Sequence, residues 1–359
     1  MLVHVSLLVG NGFDIQANLK TKYSDFYKYL RETALHSESL NDNTIYKEIN
    51  KMHTSDKYYE KWSDFEMGLM SLTQEVNDES GLSDEKLFVD KMEIETHLTE
   101  YLKSIEQNIN VEKEKDKIIE EFSRSASLLF LSLRDLNRDQ IGNVLKLNND
   151  VKTMHMNILD FNFTSLFKDS YELMEDNLAS VRGPIGNSKL GIPMKKHEYI
   201  KVHGSTSRNM NLGGNDSTQL GVKMRDSRYS FSFIKPELDK AIAEKSYIRG
   251  KKALQRSSVF FVLGMSLGES DKNWWGEIAN QLLRREKSAL VIFSYHPDEI
   301  ITNNGPYHKL EIDRIIDKFS SYFSDSKRDA LEKIQQKVFV VINSRLFNLA
   351  NMDFDEVNE

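Results

Sequence analysis

Six short apolar runs, each followed by small or polar residues, constrain this 359-residue chain more than any other feature. They are Leu2 to Val9, Ile158 to Phe163, Tyr199 to Val202, Val259 to Leu263, Ala289 to Phe293 and Val338 to Ile342. Apolar stretches of this length, bounded by turn residues and followed by helical texture, are how strands buried on both faces of a parallel sheet look in sequence. Alternation of such strands with helices predicts an α/β fold: a Rossmann-like, doubly wound, mostly parallel sheet whose ligand crevice lies beyond the carboxyl ends of the strands. Chemistry is therefore expected where the runs end.

Between residues 41 and 150 the texture is different. All five prolines lie at or after Pro184, and this stretch holds only Gly68, Gly81 and Gly142 as breakers. Leu87, Phe88, Met92, Leu98, Leu102, Ile105 and Ile109 recur at helical spacing, as do Ile118, Ile119, Phe122, Ala126, Leu129, Phe130, Leu133 and Leu136. Ile141, Val144 and Leu145 extend the second face after a break. The expected organisation is residues 1–40 as the first part of the sheet domain, 41–150 as an acidic helical insertion and 151–359 as the remainder. The insertion carries 24 acidic against 14 basic side chains, leaving a net +3 for the rest of a chain whose total is −7. An anionic dinucleotide fits the sheet domain better than the insertion, and the acidic balance disfavours nucleic acid as a partner.

The chain has no cysteine, which excludes disulfides, thiol nucleophiles and cysteine-held metals and fits a reducing, cytoplasmic setting. The apolar start runs directly into Gly10-Asn11-Gly12 and reads as a buried strand rather than a signal segment. The longest later apolar runs fall far short of the roughly 20 residues of a membrane helix. The remaining histidines show no metal-ligand spacing, so no metal is expected.

Four run-ends carry candidate chemistry. Gly10-Asn11-Gly12-Phe13-Asp14 offers a tight turn and a backbone that a phosphate can approach, although two glycines fall short of a full dinucleotide fingerprint and also suit an ordinary strand-to-helix turn. Asp160, Asn162 and Thr164 alternate along one run, so they share a side while it stays extended. Asn162 then faces neighbouring backbone or a ligand. His203-Gly204 ends another run with an imidazole able to act as a base near neutral pH, or to serve as a packed or capping residue. Gly264-Met265-Ser266-Leu267-Gly268 closes a fourth, with Asp271 at an expected helix N-cap. Tyr23-Ser24-Asp25-Phe26 and Trp62-Ser63-Asp64-Phe65 share one form and read as helix caps with Phe anchors. Trp274 and Trp275 read as a buried helix end, and Gly204 to Gly221 as a loop or mobile cover.

The ordered set GNGFD, TKYSDF, WSDFE, DFNFT, a strand-ending HG and a later GMSL resembles the AbiH family of phage abortive-infection proteins. More distantly, the order resembles sirtuin-like NADases, in which a GAG turn, an Asp-Phe-Arg segment, an Asn on a strand, a His-Gly and a Gly-x-Ser-Leu turn follow one another. That resemblance implies NAD as substrate or ligand. It assigns Gly10, Asn11, Gly12, Asp14, Asp25, Phe26, Thr164, Gly264, Ser266 and Asp271 to nucleotide binding, and Asn162 and His203 to catalysis. Tyr27 stands where the sirtuin pattern has Arg, Thr164 where it has Asp, and the zinc cysteines are missing, which argues against deacetylation and leaves NAD cleavage open. The expected activity is a defence NAD glycohydrolase, and the alternative is a non-catalytic nucleotide sensor. Expected partners are a nucleotide, a phage or host protein trigger and further copies of the chain, with no membrane.

Overall fold

The computed structural model describes residues 2–53, 62–77, 81–129, 153–175, 182–183, 192–208, 210–296, 304–323 and 328–354. Seven strands follow in chain order: β1 (Leu2–Val9), β2 (Thr153–Asp160), β3 (Arg182–Gly183), β4 (Ile192–Lys201), β5 (Val259–Leu263), β6 (Ala289–Ser294) and β7 (Val338–Ile342). They form one sheet in the order β3-β4-β2-β1-β5-β6-β7. Every pairing is parallel except the two-residue β3, which runs antiparallel along β4. Counted without β3, the six parallel strands run 3-2-1-4-5-6, the Rossmann order whose direction reverses at the first strand. The expected fold class is thus the observed one.

Alternation along the strands feeds two cores, one on each face of the sheet. Val5, Leu7, Val9, Phe261, Leu263 and Val291 pack on one face with Phe13, Phe122 and Phe167. Leu8, Phe260, Val262, Leu290 and Ile292 pack on the other with Trp274, Trp275 and Ile278. Trp275 is fully buried and its indole N–H donates to the Gly268 carbonyl at 3.1 Å, the buried helix end that the sequence suggested. The helix Lys115–Leu128, expected within the insertion, instead supplies Ile118, Phe122 and Ala126 to the sheet's own core.

A third core belongs to the helical layer. It joins Tyr23, Phe26 and Leu30 to Ile45, Phe65, Leu87, Ile94, Leu98 and Leu102, and takes in Met210, Leu212, Leu220 and Phe233 from the far part of the chain. Its longest helix, Asp84–Glu106, starts at Ser83, whose hydroxyl accepts from the Lys86 N–H at 3.1 Å, an N-cap that satisfies one orphan donor. Met92, placed on its apolar face by spacing, is instead 45% exposed. Residues 130–152, which include Leu133, Leu136, Ile141, Val144 and Leu145, lie outside the described residues. Among the described residues no helix is long and apolar enough to cross a membrane.

Two local expectations change. The run expected to stay extended to Phe163 leaves the sheet at Asp160, because the Asp160 Oδ1 accepts the N–H of Asn162 at 2.9 Å and turns the chain. Asn162 and Thr164 are therefore in the loop beyond the strand and not on its face. The described residues from Gly204 to Gly221 form a packed loop rather than a loose cover. Its Met210, Leu212, Gly213, Gly214, Asn215 and Leu220 are buried. Gly221 N–H donates to the Thr73 hydroxyl at 3.0 Å, and Asn215 Nδ2 donates to the Glu269 carbonyl at 2.7 Å.

Candidate functional site

The carboxyl ends of β1 and β5 meet through glycine. Gly10 N–H donates to the Leu263 carbonyl at 2.9 Å and Gly12 N–H to the Gly264 carbonyl at 2.8 Å. A Cβ on Gly12 would stand 2.6 Å from the Gly264 Cα, and Gly264 itself has φ +67°, with its own hypothetical Cβ 2.7 Å from the Phe13 nitrogen. The GNG turn thus needs glycine first for close packing of two strand ends. Asn11 also faces structure: its Nδ2 donates to the Thr21 carbonyl at 2.8 Å, where the Trp62 indole N–H also donates at 3.0 Å.

Beyond β2, one lysine ties down the loop. Lys201 Nζ lies 2.8 Å from Asp160 Oδ2, donates to the Asn162 carbonyl at 2.8 Å and donates also to the Thr164 carbonyl. Tyr199 donates its hydroxyl to Asp160 Oδ2 at 2.6 Å, and burial together with that carboxylate pushes its phenol well above the usual range. The Asn162 backbone is therefore held at both its N–H and its carbonyl. Its side chain, 2% exposed, has neither Oδ1 nor Nδ2 in a hydrogen bond. A buried amide without partners costs about 1–3 kcal/mol, so this group is the strongest ligand signal among the expected residues.

Thr164 donates to Asp14 Oδ2 at 2.6 Å, which brings the ends of β1 and β2 together. Burial, at 1% exposure, pushes the Asp14 carboxyl up to about 7; Thr164 and Lys201 oppose the rise while Asp160 and Glu106 add to it. Asp14 Oδ1 has no hydrogen-bond partner. Glu106, at the end of the long helix, accepts from the Ser165 N–H at 2.5 Å and from the Thr206 hydroxyl, and so joins the loops after β2 and β4 to the helical layer.

His203 follows β4, 7% exposed, with the Phe161 ring edge-on at 5.1 Å and the Phe163 ring at 6.5 Å. The two rings flank Asn162 in sequence, so the loop that carries Asn162 packs against His203 through its aromatic residues. His203 Nε2 lies 3.2 Å from Asp271 Oδ1, close enough for an ion pair though not in line for a hydrogen bond. Asp271 stands at the N-cap of the helix Lys272–Arg284 as the sequence indicated, but its side chain makes no cap bond and turns to His203 and Lys235 instead. Burial raises the Asp271 carboxyl, yet Lys235 and His203 outweigh it and hold the group well below the carboxylate range.

Three residues of this cluster escaped the sequence reading. Lys235, 6% exposed, reaches Glu66 at 2.9 Å, Asp271 at 3.3 Å and the Ser270 carbonyl at 3.3 Å. Glu66, in the segment read as cap and packing, also accepts from the Gly213 N–H at 3.3 Å. Asn211 donates its N–H to the His203 carbonyl at 2.9 Å, while its Oδ1 has no hydrogen bond. A small pocket is lined by His203 together with Val202, Asn215, Lys235, Tyr247 and Trp274.

Like Asn11, the expected residues Asp25 and Phe26 have structural partners. Asp25 is the third residue of the helix Tyr23–Ala34 and accepts from the Lys22 N–H at 3.3 Å, and Phe26 is buried between Tyr29, Trp62 and Tyr101. Ser266 is exposed, with its carbonyl accepting from Lys318 at 2.8 Å. Tyr27 donates to Asn50 at 2.9 Å and stacks on His53 at 3.6 Å. Among the described residues no group of three or more His, Cys, Asp or Glu is arranged to hold a metal ion.

No curated protein matches the chain. The family model described as "Bacteriophage abortive infection AbiH" matches residues 7–295. That span contains every strand-end motif from Gly10 to Asp271 and five of the six parallel strands in whole or in part. The chain belongs to the AbiH family of bacteriophage abortive-infection proteins.

Proposed function

We propose that this AbiH protein binds NAD or a related dinucleotide beyond the carboxyl ends of its sheet and hydrolyses the nicotinamide–ribose bond during abortive infection. The observation that carries the reading is the buried, unpartnered amide of Asn162 on the loop whose Phe161 and Phe163 rings pack against His203 of the His203–Asp271 pair. In the reaction, the bond between the anomeric carbon and the nicotinamide nitrogen breaks with its electron pair leaving on nicotinamide. Water adds to the oxocarbenium-like carbon and surrenders its proton to His203. Asn162 Oδ1 orients that water. Asp271 faces Nε2, so the accepting atom is Nδ1, and the carboxylate stabilises the imidazolium that forms.

A nucleotide sensor without turnover is the second reading. It is favoured by Tyr27 and Thr164, which donate to Asn50 and Asp14 and supply neither of the charges that the sirtuin pattern has at these places. Purified full-length chain is incubated with NAD, alone and with phage-infected lysate, and free nicotinamide is measured. Expected is release that falls about 10²–10⁴-fold in Asn162→Ala and His203→Ala. No release under either condition, with calorimetric binding of NAD retained, overturns hydrolysis in favour of sensing.

A further inference from the structure

We propose that Lys235 and Glu66 are positioning residues that set the proton affinity of His203 by competing for, and balancing, the Asp271 carboxylate. The inference rests on the reading of His203 as the base. Its geometric core is a single oxygen: Asp271 Oδ1 is 3.2 Å from His203 Nε2 and 3.3 Å from Lys235 Nζ. On the other side, Lys235 is drawn away from that oxygen by Glu66 at 2.9 Å. Four segments distant in sequence supply the four groups: the helix Trp62–Leu72, the start of the helix Lys235–Ala241, the cap of the helix Lys272–Arg284 and the end of β4.

The charges explain why the arrangement suits a base. Glu66, Lys235 and Asp271 together carry one net negative charge in a buried setting. A neutral His203 leaves that charge unbalanced, and an imidazolium cancels it. Lys235 moderates the effect by sharing Oδ1, and Glu66 moderates Lys235. Burial works against the Lys235 ammonium, yet Asp271 and Glu66 overcome it and raise its proton affinity, which keeps it charged. Other charged groups at this end of the sheet are engaged elsewhere: Lys201 with Asp160, Glu106 with Ser165 and Thr206, Asp14 with Thr164, Asp239 with the Tyr247 N–H, and Glu269 with Lys272 at 3.1 Å on the turn that carries Asp271.

The consequence is a pair of opposite shifts. Removing the ammonium in Lys235→Met leaves Asp271 wholly to His203 and raises the His203 midpoint. Neutralising the carboxylate in Glu66→Gln releases Lys235 toward Asp271 and lowers it. The imidazole is titrated in the full chain by NMR from pH 4.5 to 9, with its signal assigned by its loss in His203→Gln. Expected is a rise on the order of one pH unit in Lys235→Met and a fall in Glu66→Gln. Glu66→Gln keeps a side chain able to bond Lys235, and the double variant removes both buried partners together, so one of these reports even where Lys235→Met does not fold. The double variant is expected to titrate above wild type. Midpoints that stay at the wild-type value, or that move in the same direction in the two single variants, overturn the inference. Because the titration uses no nucleotide, its failure is separable from failure of NAD hydrolysis.

Discussion

Asp14 makes a sharp test of the electrostatics of the strand ends. Its carboxyl is pushed from 3.8 to about 7, chiefly by burial at 1% exposure. Between those two values the unfolded chain releases the proton and the folded chain keeps it, so stability falls as pH rises. Above about 7 both states are ionised and the penalty is complete. One pKa unit corresponds to about 1.4 kcal/mol, which makes the full penalty about 4 kcal/mol, of which about 3 kcal/mol develops between pH 5 and 8. Asp14→Asn removes the titration while its amide oxygen can still accept from Thr164. Urea unfolding of both proteins is followed by tryptophan fluorescence at intervals from pH 5 to 8. The stability of the variant relative to wild type is expected to grow by about 3 kcal/mol across that range. A difference that stays constant across it refutes the reasoning, because it means that Asp14 ionises alike in the folded and unfolded states.

Other parts of the fold give further tests. Gly12→Ala drives a Cβ to 2.6 Å from the Gly264 backbone, which cannot yield as a side chain does, so a loss of about 1–3 kcal/mol is expected in denaturant unfolding. Gly276→Ala, in a helix with nothing within 4 Å of the new Cβ, is the control and should gain up to about 1 kcal/mol. At the opposite end of the sheet the His4 ring lies 5.5 Å from His155 and 5.2 Å from His197. Burial first, then His197, His155, Arg256 and Arg285, depress the proton affinity of His4 below its ordinary 6.5. The unfolded chain therefore takes up the proton first, and stability present above pH 6.5 is lost as pH falls below it. His4→Gln should make the melting temperature fall less steeply between pH 7 and 5, and an unchanged slope would remove His4 from that account.

How much of the site could be read in advance depended on how local its signals are. Gly10, Asp14, Asn162, His203, Gly264 and Asp271 follow from the apolar runs, because each run marks a strand, and parallel strands bring their carboxyl ends to one edge of the sheet. The boundary after β2 was misjudged for a local reason too: Phe161 and Phe163 keep the alternation of a strand, while the turn depends on one side-chain bond from Asp160 to the N–H of Asn162. Glu66 and Lys235 are different in kind. They are 169 residues apart, and each sits in helical sequence where a charge reads as solvated. A signal was present. Glu66 stands between Phe65 and Met67 ahead of Leu69 and Met70, and Lys235 follows Phe233 and Ile234 directly before the Pro236 that opens a helix. A charge set among apolar neighbours must find a counter-charge to be buried, so each residue announces that a partner exists. Which partner it is depends on how the helical layer seats on the strand ends. That seating is held by groups such as Glu106, whose two acceptor contacts lie 59 and 100 residues along the chain. Spacing within the chain carries no trace of such contacts, which is why His203 and the Asn162 amide were legible and the Lys235–Glu66 ion pair beside Asp271 was not.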